Sequence, residues 1–272
     1  MPGLELLGYE FMQRAFLAGI AVAIVCPLIG VFLVLRRLAL LADGLGHVTF
    51  AGLAAGLLLN VYPLVAALVA AVLGAVGIER LRARGRVAGD AAIAMFYTSG
   101  LALGVVLVSR AGGFNVNVLG YLFGSIAAVT TGDLLIVAGL AAVVVALIAV
   151  YYKELLYLTF DEDSARAAGL PAMAVNTLLA ALAAVTVVAA MRIVGLLLVS
   201  ALMVLPALTA IRLASGFRQT LLLAIGAALV AVLAGLTASF YLNSAPGGTI
   251  VLIALALFGL ASLIEGRRAR GA

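Results

Sequence analysis

Ala15-Phe16-Leu17-Ala18-Gly19-Ile20-Ala21-Val22-Ala23-Ile24-Val25-Cys26-Pro27-Leu28-Ile29-Gly30-Val31-Phe32-Leu33-Val34-Leu35 runs for 21 residues without a charged side chain. A helix of that length covers about 30 Å, the thickness of a bilayer's hydrocarbon core, and pairs its backbone N–H and C=O groups within itself. Runs of the same character recur almost end to end, so the reading of this one decides the fold: an all-α, polytopic membrane helix bundle. Composition agrees. Hydrophobic residues make up 67% of the 272 and charged residues 10%, where soluble domains carry about a quarter charged. No period-2 alternation of the kind a β-barrel needs is visible. Met1 to Arg14 carries Glu5 and Glu10 in place of a basic leader, which speaks against a removable signal peptide. The whole of 1–272 is expected to form a single transmembrane domain.

Reading apolar runs between charged or Pro/Gly-marked breaks places spans near 11–35, 44–60, 63–79, 91–109, 132–152, 172–190, 193–211, 219–241 and 248–264. That is about nine, within a range of eight to ten. A further apolar piece, Val118 to Val129, is too brief to cross and reads as a re-entrant or interfacial helix. With the N-terminus outside, alternate loops put Arg36, Arg37, Arg80, Arg82, Arg84, Arg86, Lys153, Arg166, Arg212, Arg218, Arg267, Arg268 and Arg270 inside and leave Arg14, Arg110 and Arg192 outside. This positive-inside bias favours nine spans and a cytoplasmic C-terminus. The net charge of +5 is spent in these loops, so no nucleic-acid partner is expected. Cys26, the single cysteine, can form no internal disulfide. Pro63, Pro171 and Pro246 sit at span beginnings, where a missing N–H costs nothing. Pro27 and Pro206 fall mid-span and deprive the carbonyls of Ala23 and Leu202 of helical partners. Such breaks either line a cavity or pack on a neighbour. The 30 glycines read mainly as close helix packing.

Leu41-Ala42-Asp43-Gly44-Leu45-Gly46-His47-Val48-Thr49-Phe50 holds the only histidine. Asp43 and His47, four apart, share one face of a helix. A carboxylate in hydrocarbon costs roughly 3 kcal/mol on insertion scales. Two readings stand: Asp43 caps the second span from the interface while His47 merely packs, or the pair grips a cation. Carboxylate plus neutral imidazole suits zinc, manganese or ferrous iron without choosing among them. Two ligands are too few for a closed structural zinc site, and a weak, open site is what transport requires. Because metal competes with protons for imidazole, binding should fade below about pH 6.5. Hydropathy puts Asp43 near the cytoplasmic end of span two, so a deeper site needs that span to start earlier or the segment to fold inward.

The longest polar stretch runs from Lys153 to Pro171. Asp161 or Asp163 can cap a short helix through Ala168, Gly169 can end it, and Pro171 starts the next span. A short amphipathic helix on the cytoplasmic face, within 154–171, offers a partner a place to dock. No Walker loop is possible: the sole lysine, Lys153, lies between Tyr152 and Glu154. Serine nucleophile elbows, His-Glu-x-x-His ligands and Cys-x-x-Cys pairs are absent too. The chain is therefore expected to be no enzyme and to carry no catalytic residues.

Six segments together resemble the membrane permease of ATP-binding cassette importers for zinc, manganese or iron. Ala42-Asp43-Gly44-Leu45-Gly46-His47 is similar to that family's Asp-x-x-x-His signature, and Phe96-Tyr97-Thr98-Ser99-Gly100-Leu101-Ala102-Leu103-Gly104 to its fourth-span motif. Leu119-Gly120-Tyr121-Leu122-Phe123-Gly124-Ser125 resembles the short segment that follows, and Phe160-Asp161 with Ala165 and Ala168-Gly169-Leu170-Pro171 resembles the cytoplasmic coupling helix. The run from Val194 to Ala207 is similar to a late pathway helix, and Ala245-Pro246-Gly247-Gly248-Thr249-Ile250 to the entry of the last span. The proline that the family often places after the histidine is Ala51 here, ahead of Gly52.

The resemblance covers nearly the whole chain in order. It implies a homodimeric permease in a bacterial or archaeal cytoplasmic membrane, with cytoplasmic ATP-binding subunits and an extracytoplasmic metal-binding protein as partners. It makes Asp43 and His47 metal ligands, assigns Asp161, Ala165 and Gly169 to the helix that receives the ATPase stroke, and puts Gly195, Ser200 and Pro206 on the pathway helix. No cofactor is held permanently; the metal ion is cargo, and ATP belongs to the partner subunit. Three rivals stand beside this reading: a permease for iron-siderophores or cobalamin, an ion-coupled secondary metal carrier, and a membrane-embedded enzyme using Asp43 and His47 as a base pair, which no nucleophile or second ligand set accompanies. The carrier would need intramembrane acids, and outside Asp43 the spans hold almost none, with Asp133 at a span start.

Overall fold

The computed structural model describes residues 8–85, 88–113, 116–127 and 129–271. Among these described residues twelve helices follow one another: α1 (Glu10–Leu35), α2 (Leu41–Leu58), α3 (Pro63–Ala83), α4 (Gly89–Arg110), the short α5 (Val116–Phe123), α6 (Thr131–Val150), α7 (Tyr152–Phe160), α8 (Glu162–Ala167), α9 (Ala172–Ala190), α10 (Val199–Leu213), α11 (Phe217–Leu242) and α12 (Pro246–Gly271). Among the described residues eight are long and apolar enough to cross a membrane, and α10 is a shorter, apolar ninth. At eight residues α5 is only about 12 Å long and cannot span.

The ends follow local chemistry. Pro63 occupies the first turn of α3. Thr130 and Asp133 form a reciprocal capping box on α6, the Thr130 hydroxyl accepting from the Asp133 N–H and the Asp133 carboxylate from the Thr130 N–H. Asn243, at φ +48, closes α11 in the left-handed conformation. Two expected boundaries move. The span expected from 44 begins at Leu41, and the run expected over 132–152 stops at Val150, with Tyr151 separating it from α7.

At the centre lies α1, packed against α6, α9, α10 and α11. Gly30 lets α10 come so close that a Cβ there would fall 1.9 Å from the Met203 carbonyl oxygen. Pro27 is buried inside α1, which continues past it to Leu35. On one side α2 is held between α3 and α4. Gly100 and Gly104, one turn apart on α4, admit it: Cβ atoms there would strike the His47–Val48 backbone at 2.8 Å and the Phe50 ring at 2.3 Å. This small-xxx-small spacing lets membrane helices touch backbone to backbone where apolar area gives no net drive.

Contacts sort the turns to two ends. At one end Arg36, after α1, bonds Glu162 of α8 and Asn176 of α9, and Arg212 of α10 pairs with Glu265 of α12. There Phe217, opening α11, lies among Phe32, Tyr152 and Phe160 at ring distances of 5.3 to 6.0 Å. At the other end Tyr62, Asp133 and Arg192 meet, and Tyr9 and Phe11 cluster with Phe240. Of the described arginines, those expected inside lie at the first end, and Arg14, Arg110 and Arg192 at the second. Arg86 and the side chains of Arg268 and Arg270, which were expected on the first end, lie outside the described residues.

The expected span 193–211 is helical only from Val199. Fifteen residues give α10 about 22 Å, short of the hydrocarbon thickness, and residues 191–198 make up the difference as linked turns. Backbone inside a membrane must be paired, and α5 supplies the partners: the Leu196 and Leu197 N–H groups donate to the Tyr121 and Leu122 carbonyls at 2.9 and 3.2 Å, and Ser125 N–H donates to the Arg192 carbonyl at 3.2 Å. The segment expected to be re-entrant thus completes a broken helix.

Candidate functional site

Asp43 is the third residue of α2 and His47 lies one turn on. The capping reading of Asp43 is not realised: Leu40 is the residue at the cap position, and it makes no side-chain capping bond. Among the described residues no hydrogen bond or ion pair engages the Asp43 carboxylate. Both side chains are half-buried on one face of the helix. Because α2 begins ahead of Asp43, the acid sits within the helix instead of in the loop before it.

Asp43 opens onto a cleft of about 280 Å³ between α2 and α10, lined also by Leu40, Ser200, Ala201, Val204 and Leu205. Ser200 is in the first turn of α10, so the broken helix starts beside the acid. The break itself touches α2 between the two candidate ligands, since a Cβ on Gly46 would sit 3.3 Å from the Leu196 carbonyl oxygen. Asp43 and Ser200, both expected from the sequence, therefore meet at this cleft, and His47 stands one turn farther along α2.

Gly195 and Pro206 are elsewhere. Gly195, at φ +88, faces α5, where a Cβ would fall 2.4 Å from the Leu122 carbonyl oxygen. Pro206 is buried two turns along α10 and does not line the cleft. Gly247, opening α12, comes against the same junction, a Cβ there falling 1.8 Å from the Val194 carbonyl oxygen. Three of the motifs quoted above, around Gly124, Gly195 and Gly247, are thus one contact.

The sequence reading passed over Tyr97. Its ring stands edge-on to His47 with centroids 4.1 Å apart and orients the imidazole from α4. The signal was in the Phe96-Tyr97 pair of the fourth-span motif. Counting only titratable ligands, Asp43 and His47 remain a pair: no group of three or more His, Cys, Asp or Glu side chains that could hold a metal occurs among the described residues. The rest of a coordination shell would fall to water, backbone carbonyls or another chain.

The predicted short helix is α8, preceded by a separate helix, α7. Asp161 caps α8, accepting from the Ser164 N–H at 2.9 Å and its hydroxyl at 2.5 Å. These bonds hold the Asp161 carboxyl below its usual range. Ala165 is fully buried and seats the helix on the bundle. Gly169, at φ +84, ends it: its N–H bonds the Arg166 carbonyl and the Leu170 N–H bonds the Ala165 carbonyl, the paired bonds of a Schellman motif.

Glu162 was not singled out from the sequence, yet it carries the polar contacts of α8, bonding Arg166 at 2.6 Å, Asn176 at 3.2 Å and Arg36 at 3.1 Å. Burial alone would raise its carboxyl; the hydrogen bonds from Arg166 and Asn176, with the charge of Arg36, outweigh that and hold it low.

Comparison with known proteins agrees with this architecture. Residues 8–265 match the ABC 3 transport family. A probable metal transport system membrane protein of Treponema pallidum is 36% identical over 97% of this chain and all of its own length. The manganese transport system membrane protein MntC of Halalkalibacterium halodurans is 34% identical over 94% of this chain and 88% of its own. Among solved structures, a chain of PsaBC from Streptococcus pneumoniae superposes with a TM-score of 0.85 at 32% identity, covering 94% of this chain and 92% of that one. With a match over nearly its full length and relatives as long as itself, the chain belongs to the ABC 3 transport family.

Proposed function

We propose that this chain is the membrane permease of an ATP-binding cassette importer that carries a divalent transition metal ion (zinc, manganese or iron), manganese being the ion in the name of its Halalkalibacterium halodurans relative, along a path passing Asp43 and His47. One observation carries the residue assignment: a carboxylate with no partner among the described residues stands one turn from an imidazole, at the cleft where a broken helix begins. A passing cation offsets the cost of keeping that charge away from water. A second copy of the chain, two cytoplasmic ATPase subunits and an extracytoplasmic metal-binding protein complete the transporter. The positive-inside bias supports placing the end with Arg36, α8 and the C-terminus of α12 in the cytoplasm.

ATP binding closes the ATPases, α8 follows, and the helices rock to move the cleft from one side of the membrane to the other. The test is uptake of radiolabelled manganese into vesicles carrying the whole complex. Asp43→Ala and His47→Ala should each lower uptake at least about tenfold, the loss of one ligand-scale interaction, with the complex still assembled. Undiminished uptake in both variants would remove the ligand assignment.

A further inference from the structure

Arg36 is the first residue after α1, and its side chain is only 6% exposed. A guanidinium so placed needs partners, since an uncompensated buried charge is strongly unfavourable. Its Nη2 donates to Glu162 Oε2 at 3.1 Å and to Asn176 Oδ1 at 2.7 Å, while the Asn176 amide donates back to Glu162 Oε1 at 3.2 Å. Its Nη1 is buried with no hydrogen-bond partner among the described residues. The other nearby charges, Glu79 and Arg82 at the end of α3, are paired with each other. Among the described residues Glu162 is thus the one carboxylate bonded to Arg36.

The link onward is stiff. Arg37 takes the left-handed conformation at φ +58, and Leu38 N–H closes back on the Leu33 carbonyl at 2.8 Å. Leu41 N–H bonds the Leu38 carbonyl and Gly44 N–H the Leu40 carbonyl, so the turn runs hydrogen-bonded into the first turn of α2, where Leu40 and Asp43 line the cleft with Ser200. Elsewhere α7 and α8 rest on the bundle through apolar groups such as Leu155, Leu158 and Ala165. Apolar contacts slide with little change in energy; a part-buried ion pair with a second hydrogen bond fixes direction.

From this we propose that Glu162 is a positioning residue that transmits the movement of α8 to Asp43, by holding Arg36 and with it the α1–α2 turn. The proposal rests on the metal-import reading above and adds to it the route by which the stroke reaches the ion.

The test uses the complete complex in liposomes, with uptake of radiolabelled manganese and ATP hydrolysis measured together. Glu162→Gln should lower the manganese moved per ATP hydrolysed about tenfold, within the usual span of coupling between sites. Manganese binding and retention of the ATPase subunits should be unchanged, and Glu162→Asp should recover part of the ratio. Arg36→Met combined with Glu162→Met removes both charges of this part-buried pair together, which leaves no uncompensated charge at the buried Arg36 position but should leave the ratio low. An unaltered ratio in Glu162→Gln or in the double variant overturns the relay alone, as does loss of the ATPase subunits, which would make Glu162 a docking contact. A wild-type complex that hydrolyses ATP but takes up none of manganese, zinc and ferrous iron overturns the import reading and the relay with it.

Discussion

A carboxylate inside a membrane protein is costly without a partner, and Asp133 and Asp43 differ in whether the described residues supply one. Asp133 is fully buried and saturated: Thr130 donates to it from N–H and hydroxyl, Tyr62 from its hydroxyl at 3.3 Å, and Arg192 Nε lies 3.3 Å away, close enough for charge attraction though not aligned for a hydrogen bond. The Arg192 guanidinium also covers the Tyr121 ring at 4.2 Å. Asp133→Asn removes the charge opposite a mostly buried arginine, so we expect a loss of about 3 kcal/mol, as for other broken buried pairs, seen as a lower unfolding temperature of the purified protein. Among the described residues Asp43 has no such partners, which is why it is the better candidate for a transient one. Asp161 works in water. Its carboxyl is held below the usual value, so its cap on α8 is intact above about pH 4 and is lost as pH falls through the lowered value. Hydrogen exchange at the Ser164 amide should therefore be slow and insensitive to pH-linked loss of the cap from about pH 5 to 8, after correction for intrinsic rates, and Asp161→Ala should speed it throughout.

At the scale of elements, the broken helix before α10 depends on close backbone contact. Gly195 combines φ +88 with a Cβ position 2.4 Å from a carbonyl oxygen. Gly195→Ala meets about 1–2 kcal/mol for the left-handed conformation and an overlap besides, so α5 must part from residues 193–197. We expect loss of monodisperse protein on size-exclusion chromatography and a clear drop in unfolding temperature, whereas Gly139→Ala, where a Cβ meets nothing within 4 Å, should be silent. The two glycines differ in no way that hydropathy can register. Likewise, the apolar run over 193–211 has the composition of a continuous span, and its failure to be one follows from the α5 carbonyls that pair its turns.

For the molecule as a whole, the arrangement of charges gives a sidedness that labelling can check. In a Cys26→Ser background, Leu40→Cys and Leu59→Cys place thiols at opposite ends of α2, at positions 60% and 70% exposed. A membrane-impermeant thiol reagent added to intact cells should label Leu59→Cys and spare Leu40→Cys until the membrane is opened; the reverse pattern would invert the orientation. The outward faces of α4 and α12 are apolar, with Met95, Val106, Leu252 and Leu263 all more than half exposed, as suits contact with lipid or with the expected second copy.

Number of spans, all-α class, the Asp43–His47 pair and the short capped helix near Asp161 were legible in the sequence, because each depends on neighbours along the chain: run length against bilayer thickness, i to i+4 spacing on one helix, an acid three residues before the N–H it caps. What depends on groups far apart in sequence was not. Glu162 reaches Arg36 across 126 positions, α5 completes a break some 70 residues later, and the meeting of Asp43 with Ser200 arises only when α10 starts inside the bundle. Local propensity and hydropathy are sums over short windows, whereas a buried guanidinium, an unpaired carbonyl and a cleft are satisfied by whatever the packed helices bring to them, and that was settled by the tertiary structure alone.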